Sequence, residues 1–136
     1  MSADSTRLQR SSDFTRTLDK GVRVSARDVL VSVAPLPAVW PDPSGVRPDI
    51  VIFGGPRLGL IVSKKVGDAV TRHAVARRLR HAFVATRDRL PAVDAYVVVR
   101  ARPSAATASA VDFERQLGSA FVNPKVTNAF DLAGLR

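Results

Sequence analysis

Cationic side chains are concentrated in the middle of the chain, over residues 57–89. This stretch holds nine Lys or Arg and two acidic residues, Asp68 and Asp88, so it carries +7 of the protein's net charge of +9. Like charges at this density repel one another unless a polyanion neutralises them. The chemistry available to them is phosphate binding, which predicts a nucleic-acid partner.

The basic residues fall on one side of a predicted helix that begins after Asp68 and ends near Leu90. At about 100° per residue, its apolar residues share one face and should pack on a sheet. A row of polar and basic side chains shares an adjacent arc: Arg72, His73, Arg77, Arg80 and Arg87. A solvated face is the alternative, but such faces usually mix signs through Glu–Lys pairs.

A pair of lysines, Lys64 and Lys65, precedes this helix at the end of a predicted strand. The N-terminus of a helix adds partial positive charge and free amide groups nearby. Backbone amides, two ammonium groups and an arginine row are therefore expected to share one surface, which suits phosphates held at fixed spacing on a structured RNA.

Groups that could cut a phosphodiester bond are sparse. The single glutamate is Glu114, the aspartates are scattered through loops and caps, and His73 and His81 lie eight residues apart without a carboxylate beside them. A nuclease acting alone needs clustered carboxylates or a His–acid pair. With no cysteine either, we expect no catalytic residue, no metal site and no cofactor bound by the protein alone.

Length and composition favour one globular domain over residues 1–136, of which 46% are apolar. No apolar run approaches the roughly 18 residues of a membrane span. Residues 1–10 lack the apolar centre of a signal peptide. These features predict a cytoplasmic protein without a membrane partner.

Local patterns predict an α+β domain of order αβββαβα, with one mixed four-stranded sheet packed by helices. A first helix starts near Asp13, and strands are predicted at 22–34, 49–53, 58–62 and 95–99. Ser109 and Asp112 resemble a capping box before a last helix. The expected ordered core is 11–122, with a proline-rich loop at 35–49 and a flexible tail at 123–136.

The sequence resembles the bacterial ribonuclease P protein family. The resemblance rests on RLGLIVSKKVGDAVTR over 57–72 and HAVARRLR over 73–80, which match a strand, Ser-Lys-Lys, Gly and an arginine-rich helix. Ser12-Asp13-Phe14 before Gly21 resembles the first helix of the family. Tyr96-Val-Val-Val-Arg-Ala-Arg-Pro103 resembles its last strand and basic-Pro exit.

This resemblance implies a subunit of the endoribonuclease that removes the 5′ leader of precursor tRNA. The partners it implies are a catalytic RNA, which uses Mg²⁺, and the precursor tRNA; no protein partner is required. The residues implied for the RNA-subunit face are Lys64, Lys65, Arg72, His73, Arg77 and Arg80. A groove between the first helix and the sheet would hold the leader, with Phe14, Leu18 and Ser32 at matching positions.

Several positions differ from the family pattern. Ala74 and Ala76 stand where the family has Arg and often Lys, and Leu18 and Ser32 replace residues that are often aromatic. The family also implies a left-handed crossover between the strands at 58–62 and 95–99. About 98% of such connections are right-handed.

Two other kinds of nucleic-acid-binding protein share this charge pattern. A ribosomal or other structural RNA-binding protein could have the same sheet and basic helix. A DNA-binding module would insert the basic helix in a major groove, but no second helix precedes it by a tight turn. An assay of precursor tRNA cleavage with the chain and the catalytic RNA together would distinguish these hypotheses.

Overall fold

The computed structural model describes residues 21–35, 55–91 and 95–132. Within these ranges the chain forms four strands and three α-helices, in the order β1 (Val22–Ser25), β2 (Val29–Pro35), β3 (Pro56–Ile61), α1 (Ala69–Thr86), β4 (Ala95–Ala101), α2 (Ala110–Phe121) and α3 (Pro124–Leu132). Short 3₁₀ turns, Arg87–Arg89 and Pro103–Thr107, follow α1 and β4.

The described strands form one mixed sheet of spatial order β1-β2-β4-β3. β2 is antiparallel to both of its neighbours, and Val31 lies opposite Val99 of β4. β3 is parallel to β4, with Leu58 opposite Val97, so α1 connects two adjacent parallel strands. The α+β class and the mixed four-stranded sheet are therefore confirmed. The left-handedness of the crossover stays a prediction.

The core lies on one side of this sheet, which we call the inner face. Alternate residues of a strand point to the same face, and Val31, Val33, Val97 and Val99 are fully buried there. Leu58 of β3 and the helices complete the same cluster. The other side of the sheet, the outer face, carries the intervening residues of each strand.

Helix α1 begins where its sequence predicts. The Asp68 carboxylate accepts a hydrogen bond from the Thr71 amide at 2.9 Å and so caps the helix. Val75, Leu79 and Phe83 are fully buried along one face. The ring of Phe83 meets Phe121 of α2 edge to face, with centroids 6.0 Å apart, which joins α1, α2 and the inner face in one core.

The N-terminus of α2 is a complete capping box, as predicted. The Asp112 amide donates to the Ser109 hydroxyl at 3.1 Å, and the Ser109 amide donates to the Asp112 carboxylate at 2.9 Å. Both bonds satisfy amides that a helix leaves without partners in its first turn.

The prediction of a single strand over 22–34 is wrong. β1 ends at Ser25 and β2 starts at Val29, and the two pair as an antiparallel hairpin. The Ala26 amide donates to the Val29 carbonyl at 2.9 Å, which closes the turn. Valines recur on both sides of this turn, and the turn contains neither Gly nor Pro, so the sequence did not reveal it.

The flexible tail predicted over 123–136 is wrong for residues 124–132. They form α3, whose Val126 and Phe130 are fully buried. Two apolar residues four positions apart lie on one helical face, and this face joins the core that also holds Val22 and Val24 of β1. Pro124 at the first helical position favours the start of the helix.

Three other predicted elements lie outside the described residues: the first helix, the strand at 49–53 and the proline-rich loop beyond Pro35. Pro35 itself is the last residue of β2.

A buried carboxylate anchors the β1–β2 turn. Asp28 is 2% exposed and accepts hydrogen bonds from Ser104 Oγ at 2.7 Å and Gln116 Nε2 at 2.6 Å. The Arg27 guanidinium donates to it as well. Burial alone would raise the pKa of Asp28, but the hydrogen bonds from Ser104, Gln116 and Arg27 together outweigh it and lower the pKa. The turn is thereby tied to the Pro103–Thr107 segment and to α2.

We predict that this carboxylate makes stability depend on acid. A lowered folded-state pKa means that Asp28 stabilises the fold above its unfolded pKa of about 3.9, and that this contribution is lost as the pH falls through the folded pKa. Asp28→Asn should reduce the free energy of unfolding by about 1–2 kcal/mol at neutral pH. The difference should shrink in urea titrations below about pH 4. Asp88→Asn, at an exposed site, is the control, and a pH-independent difference for Asp28→Asn would contradict the prediction.

The packing of α3 gives a second prediction. Phe130→Ala should lower the free energy of unfolding by about 3 kcal/mol, because it leaves a cavity in the core. Leu132 belongs to the same helix but is 89% exposed, so Leu132→Ala should change stability by less than about 0.5 kcal/mol. Equal effects in thermal or urea unfolding would mean that α3 is not part of the cooperative core.

Candidate nucleic-acid interface

The two predicted lysines lie in the turn between β3 and α1, which we call the lysine turn (residues 63–67). The Val66 amide donates to the Ser63 carbonyl at 3.0 Å, and the Lys65 amide donates to Ser63 Oγ at 3.3 Å. Val66 is buried, whereas both lysines are exposed. The turn is thus held by its backbone and by one apolar anchor, which leaves the two ammonium groups in solvent.

Gly67 allows the backbone of the lysine turn to pass close to Thr71 in the first turn of α1. A Cβ at this position would lie 2.9 Å from the Cβ and Cγ2 atoms of Thr71. Such a separation is shorter than carbon atoms tolerate without a shift of the backbone or of Thr71. The glycine therefore fixes how near the lysines stand to the first turn of α1.

The predicted basic row lies on the side of α1 that the core leaves free. His73, Arg77 and Arg80 are exposed, and Arg72 is half-buried at their edge. We call these four residues the basic face. At 1.5 Å per residue, positions 73 to 80 span about 10 Å along the helix. The structure therefore brings together the predicted RNA-subunit residues on α1 and sets the lysine turn before its N-terminus.

The first turn of α1 includes one acid beside this basic face. The amide and side chain of Thr71 hydrogen bond to Asp68 and lower the pKa of its carboxyl group, and the charge of Arg72 adds to the effect. The Asp68 carboxylate is thus used to cap the helix. It does not convert the basic face into a mixed-charge surface.

Arg78 also lies on α1, but its side chain points toward α2 and not toward the basic face. Its guanidinium donates to the Ala108 carbonyl at 3.3 Å, immediately before the N-terminus of α2. Arg78 falls off the basic arc because of its angular position on the helix, and this bond connects α1 to the segment that leads into α2. The losses at Ala74 and Ala76 are therefore not offset by Arg78 on the basic face.

A second candidate surface is a groove on the outer face of the sheet. It encloses about 200 Å³ and is lined by Arg23, Leu30, Ser32, Val98 and Arg100. Ser32, predicted for the leader groove, is 1% exposed and lies in the middle of β2, opposite Arg23 of β1 and Val98 of β4. Phe14 and Leu18, the other two residues predicted for this groove, lie outside the described residues.

Two arginines of this groove, Arg23 and Arg100, were missed by the sequence analysis. Both are exposed, on β1 and β4, on opposite sides of β2. The interpretation of 22–34 as one strand concealed Arg23, because only the hairpin brings it beside Ser32. The strand predicted at 95–99 ended one residue before Arg100, whereas the observed strand continues to Ala101. The available signal was alternation: in Val-Arg-Val-Ser and in Val-Val-Val-Arg-Ala the arginine falls at an outward position.

Acidic groups in the described part of the chain serve mainly as structural partners. Asp68 and Asp112 cap helices, and Asp28 anchors the β1–β2 turn. Within residues 21–35, 55–91 and 95–132 no group of three or more His, Asp or Glu could hold a metal ion. His73 and His81 are both exposed on α1. None of the described helices is long and apolar enough to cross a membrane.

Comparison with known proteins identifies the family. The family model for ribonuclease P matches residues 3–125. A ribonuclease P protein component of Nocardia farcinica is 46% identical over 121 residues, covering 83% of this chain and 76% of its own length. One from Rhodococcus opacus is 46% identical over 111 residues, covering 82% of each chain. One from Corynebacterium diphtheriae is 40% identical over 114 residues, covering 84% of this chain and 88% of its own.

Solved structures have the same fold at lower identity. The ribonuclease P protein of Staphylococcus aureus superposes with a TM-score of 0.62 at 23% identity, over 97% of this chain and 98% of its own. That of Thermotoga maritima gives a TM-score of 0.64 at 18% identity, over 85% of this chain and 94% of its own. Together with the matched family model and the close sequence relatives, the fold and the basic helix show that the chain belongs to the ribonuclease P protein family, and it is a subunit of the endoribonuclease that matures the 5′ end of tRNA through a catalytic RNA.

Proposed function

We propose that the chain binds the catalytic RNA through the lysine turn and the basic face of α1, and that it holds the 5′ leader of precursor tRNA on the outer face of the sheet. The RNA-subunit residues are Lys64, Lys65, Arg72, His73, Arg77 and Arg80. The observation that carries the proposal is the division of α1 into a buried apolar face and an exposed face bearing Arg77 and Arg80.

Charge and geometry support the RNA-subunit surface. Exposed arginines fixed on a rigid helix can make charge-assisted bonds to phosphates without ordering a loop first. Arg77 and Arg80 are three positions apart, about 4.5 Å along the helix axis, and both can face the backbone of a folded RNA. The lysine turn extends this surface beyond the N-terminus of α1.

The leader groove is supported by the shape and charge of the outer face. Leu30, Ser32 and Val98 line the groove between two exposed arginines, Arg23 and Arg100. A basic rim binds a single strand through its backbone and tolerates any base. A processing enzyme that meets many precursor tRNAs needs this tolerance, because their leaders differ in sequence.

The chain assists the chemical step by binding, and Mg²⁺ belongs to the RNA subunit in this proposal. The described residues offer no carboxylate cluster that would fit the ion. Mg²⁺ bound to RNA would supply the activated water and stabilise the leaving oxygen. The protein's own contribution is to neutralise phosphates and to hold the substrate strand. The predicted cytoplasmic location accords with this role.

Reconstitution tests the proposal. Precursor tRNA is incubated at low Mg²⁺ with the chain alone, the catalytic RNA alone, or both, and 5′-leader release is measured on gels. We expect cleavage with RNA and protein together, little with RNA alone, and none with protein alone. Cleavage by the protein alone would indicate a nuclease. No gain from adding it to the RNA would favour a structural RNA-binding protein.

Charge reversal tests the RNA-subunit surface. Arg77→Glu with Arg80→Glu should weaken binding to the catalytic RNA about tenfold or more, because two phosphate contacts become repulsive. The slope of log affinity against log salt should become shallower by about 2, since fewer counterions are released. The fold should survive, because both side chains are exposed.

The control for this variant reverses two charges elsewhere. Arg115→Glu with Lys125→Glu changes the net charge equally at exposed positions on α2 and α3. If the control weakens binding as much as the α1 variant, or if the α1 variant leaves the salt slope unchanged, the contacts to the catalytic RNA lie elsewhere.

A further inference from the structure

An exposed valine lies in the first turn of α1. Val70 is 78% exposed, more than any other valine that the structure describes, so the core gains little from its side chain. A β-branched residue is also a weak helix former, and the helix dipole favours acidic residues at this end. A single exposed valine does not make a binding site, so the groups around it decide what it can do.

Val70 lies between two sets of cationic groups. The lysine turn precedes the first turn of α1, and the basic face follows it with His73 and Arg77, all of whose side chains are exposed. At about 100° per residue, Val70 and Arg77 point in directions only about 20° apart, and they are about 10 Å apart along the helix axis. An RNA strand that contacts both the lysines and Arg77 therefore passes over Val70.

Ala74 keeps Val70 accessible. Side chains on a helix lean toward its N-terminus, so the residue four positions later covers the surface over a given residue. A long side chain at position 74 would lie over Val70, whereas alanine ends at its Cβ atom. The methyl groups of Val70 thus remain open to a partner that approaches the basic face.

An RNA strand offers apolar surface between its charged groups. Its phosphates are charged, whereas the ribose carbons and the faces of the bases are apolar and are contacted by side chains in RNA complexes. Ammonium and guanidinium groups bind the phosphates, and valine methyl groups can exclude water from the apolar parts. A valine set between the lysine turn and Arg77 therefore complements a strand in which sugars and bases lie between phosphates.

We propose that Val70 is an RNA-contact residue that packs against the sugar–base surface of the catalytic RNA, so that part of the affinity of this surface does not depend on salt. The inference rests on the proposed RNA-subunit surface and adds an apolar contact to it. Because an apolar contact releases no counterions, its loss weakens binding by the same factor at every salt concentration.

The test measures the affinity of the full chain for its catalytic RNA over a range of salt concentrations. Val70→Thr replaces one methyl group by a hydroxyl group of similar size. It should weaken binding about fourfold, which corresponds to one buried methyl group, and leave the slope of log affinity against log salt unchanged. Val70→Ile keeps the apolar surface and should keep wild-type affinity. Thermal unfolding of both variants should match the wild type, because the side chain is exposed.

The matched control is another exposed valine in the first turn of a helix. Val111 is 66% exposed at the start of α2, and the turn that contains it carries Asp112 and no cationic residue before Arg115. Val111→Thr makes the same chemical change outside the proposed RNA surface. It should leave the affinity for the catalytic RNA unchanged.

The outcomes distinguish this inference from the proposed function. If Arg77→Glu with Arg80→Glu leaves RNA affinity unchanged, the proposed RNA-subunit surface itself is wrong. If that variant weakens binding but Val70→Thr binds as the wild type does, the surface stands and the Val70 contact is wrong. A shallower salt slope or a lower unfolding temperature for Val70→Thr, or an equal loss for Val111→Thr, would also overturn the inference, because the effect would then not come from an apolar contact at Val70.

Discussion

The burial of one face of α1 is the contact on which both the fold and the proposed RNA surface depend. Val75, Leu79 and Phe83 are fully buried and join the inner face of the sheet to α2. Because a helix is rigid, fixing these residues also fixes the direction of every other side chain on it. Arg77 and Arg80 are therefore presented to solvent by a hydrophobic contact in which they take no part. The apolar core orients the charges.

The sheet separates two positive surfaces that would otherwise repel each other strongly. α1 covers the inner face, whereas Arg23 and Arg100 lie on the outer face. Exposed charges more than a Debye length apart, about 8 Å at physiological salt, are largely screened from each other. Two polyanionic strands can then be bound on different sides of the same small domain. The cost is self-repulsion in the free protein, which the binding of RNA relieves.

The sequence predicted best those features that depend on neighbouring residues. The caps at Asp68 and Ser109, the buried face of α1 and its basic row all follow from local spacing, and the structure confirms them. The hairpin turn after Ser25 was missed because Asp28 stabilises it through Ser104 and Gln116, which lie far away in sequence. Helix α3 was missed for a similar reason. Its two buried apolar residues, Val126 and Phe130, are stabilising only because they pack in the core beside β1. Long-range contacts also decide that Arg23 and Arg100 share one groove.

The strand order has a consequence for how the chain acquires its structure. β4 lies between β2 and β3 but is synthesised after both. β2 and β3 do not pair with each other, so each keeps an unpaired edge until β4 is added. Val31 of β2 must then find Val99 of β4, half the chain length away in sequence. Closing such long loops costs conformational entropy before the strand contacts form and stabilise the structure. Folding that depends on contacts distant in sequence is therefore slow. Until β4 is synthesised, the nascent chain therefore exposes two apolar strand edges, and early capture by a chaperone or by RNA would protect it from aggregation.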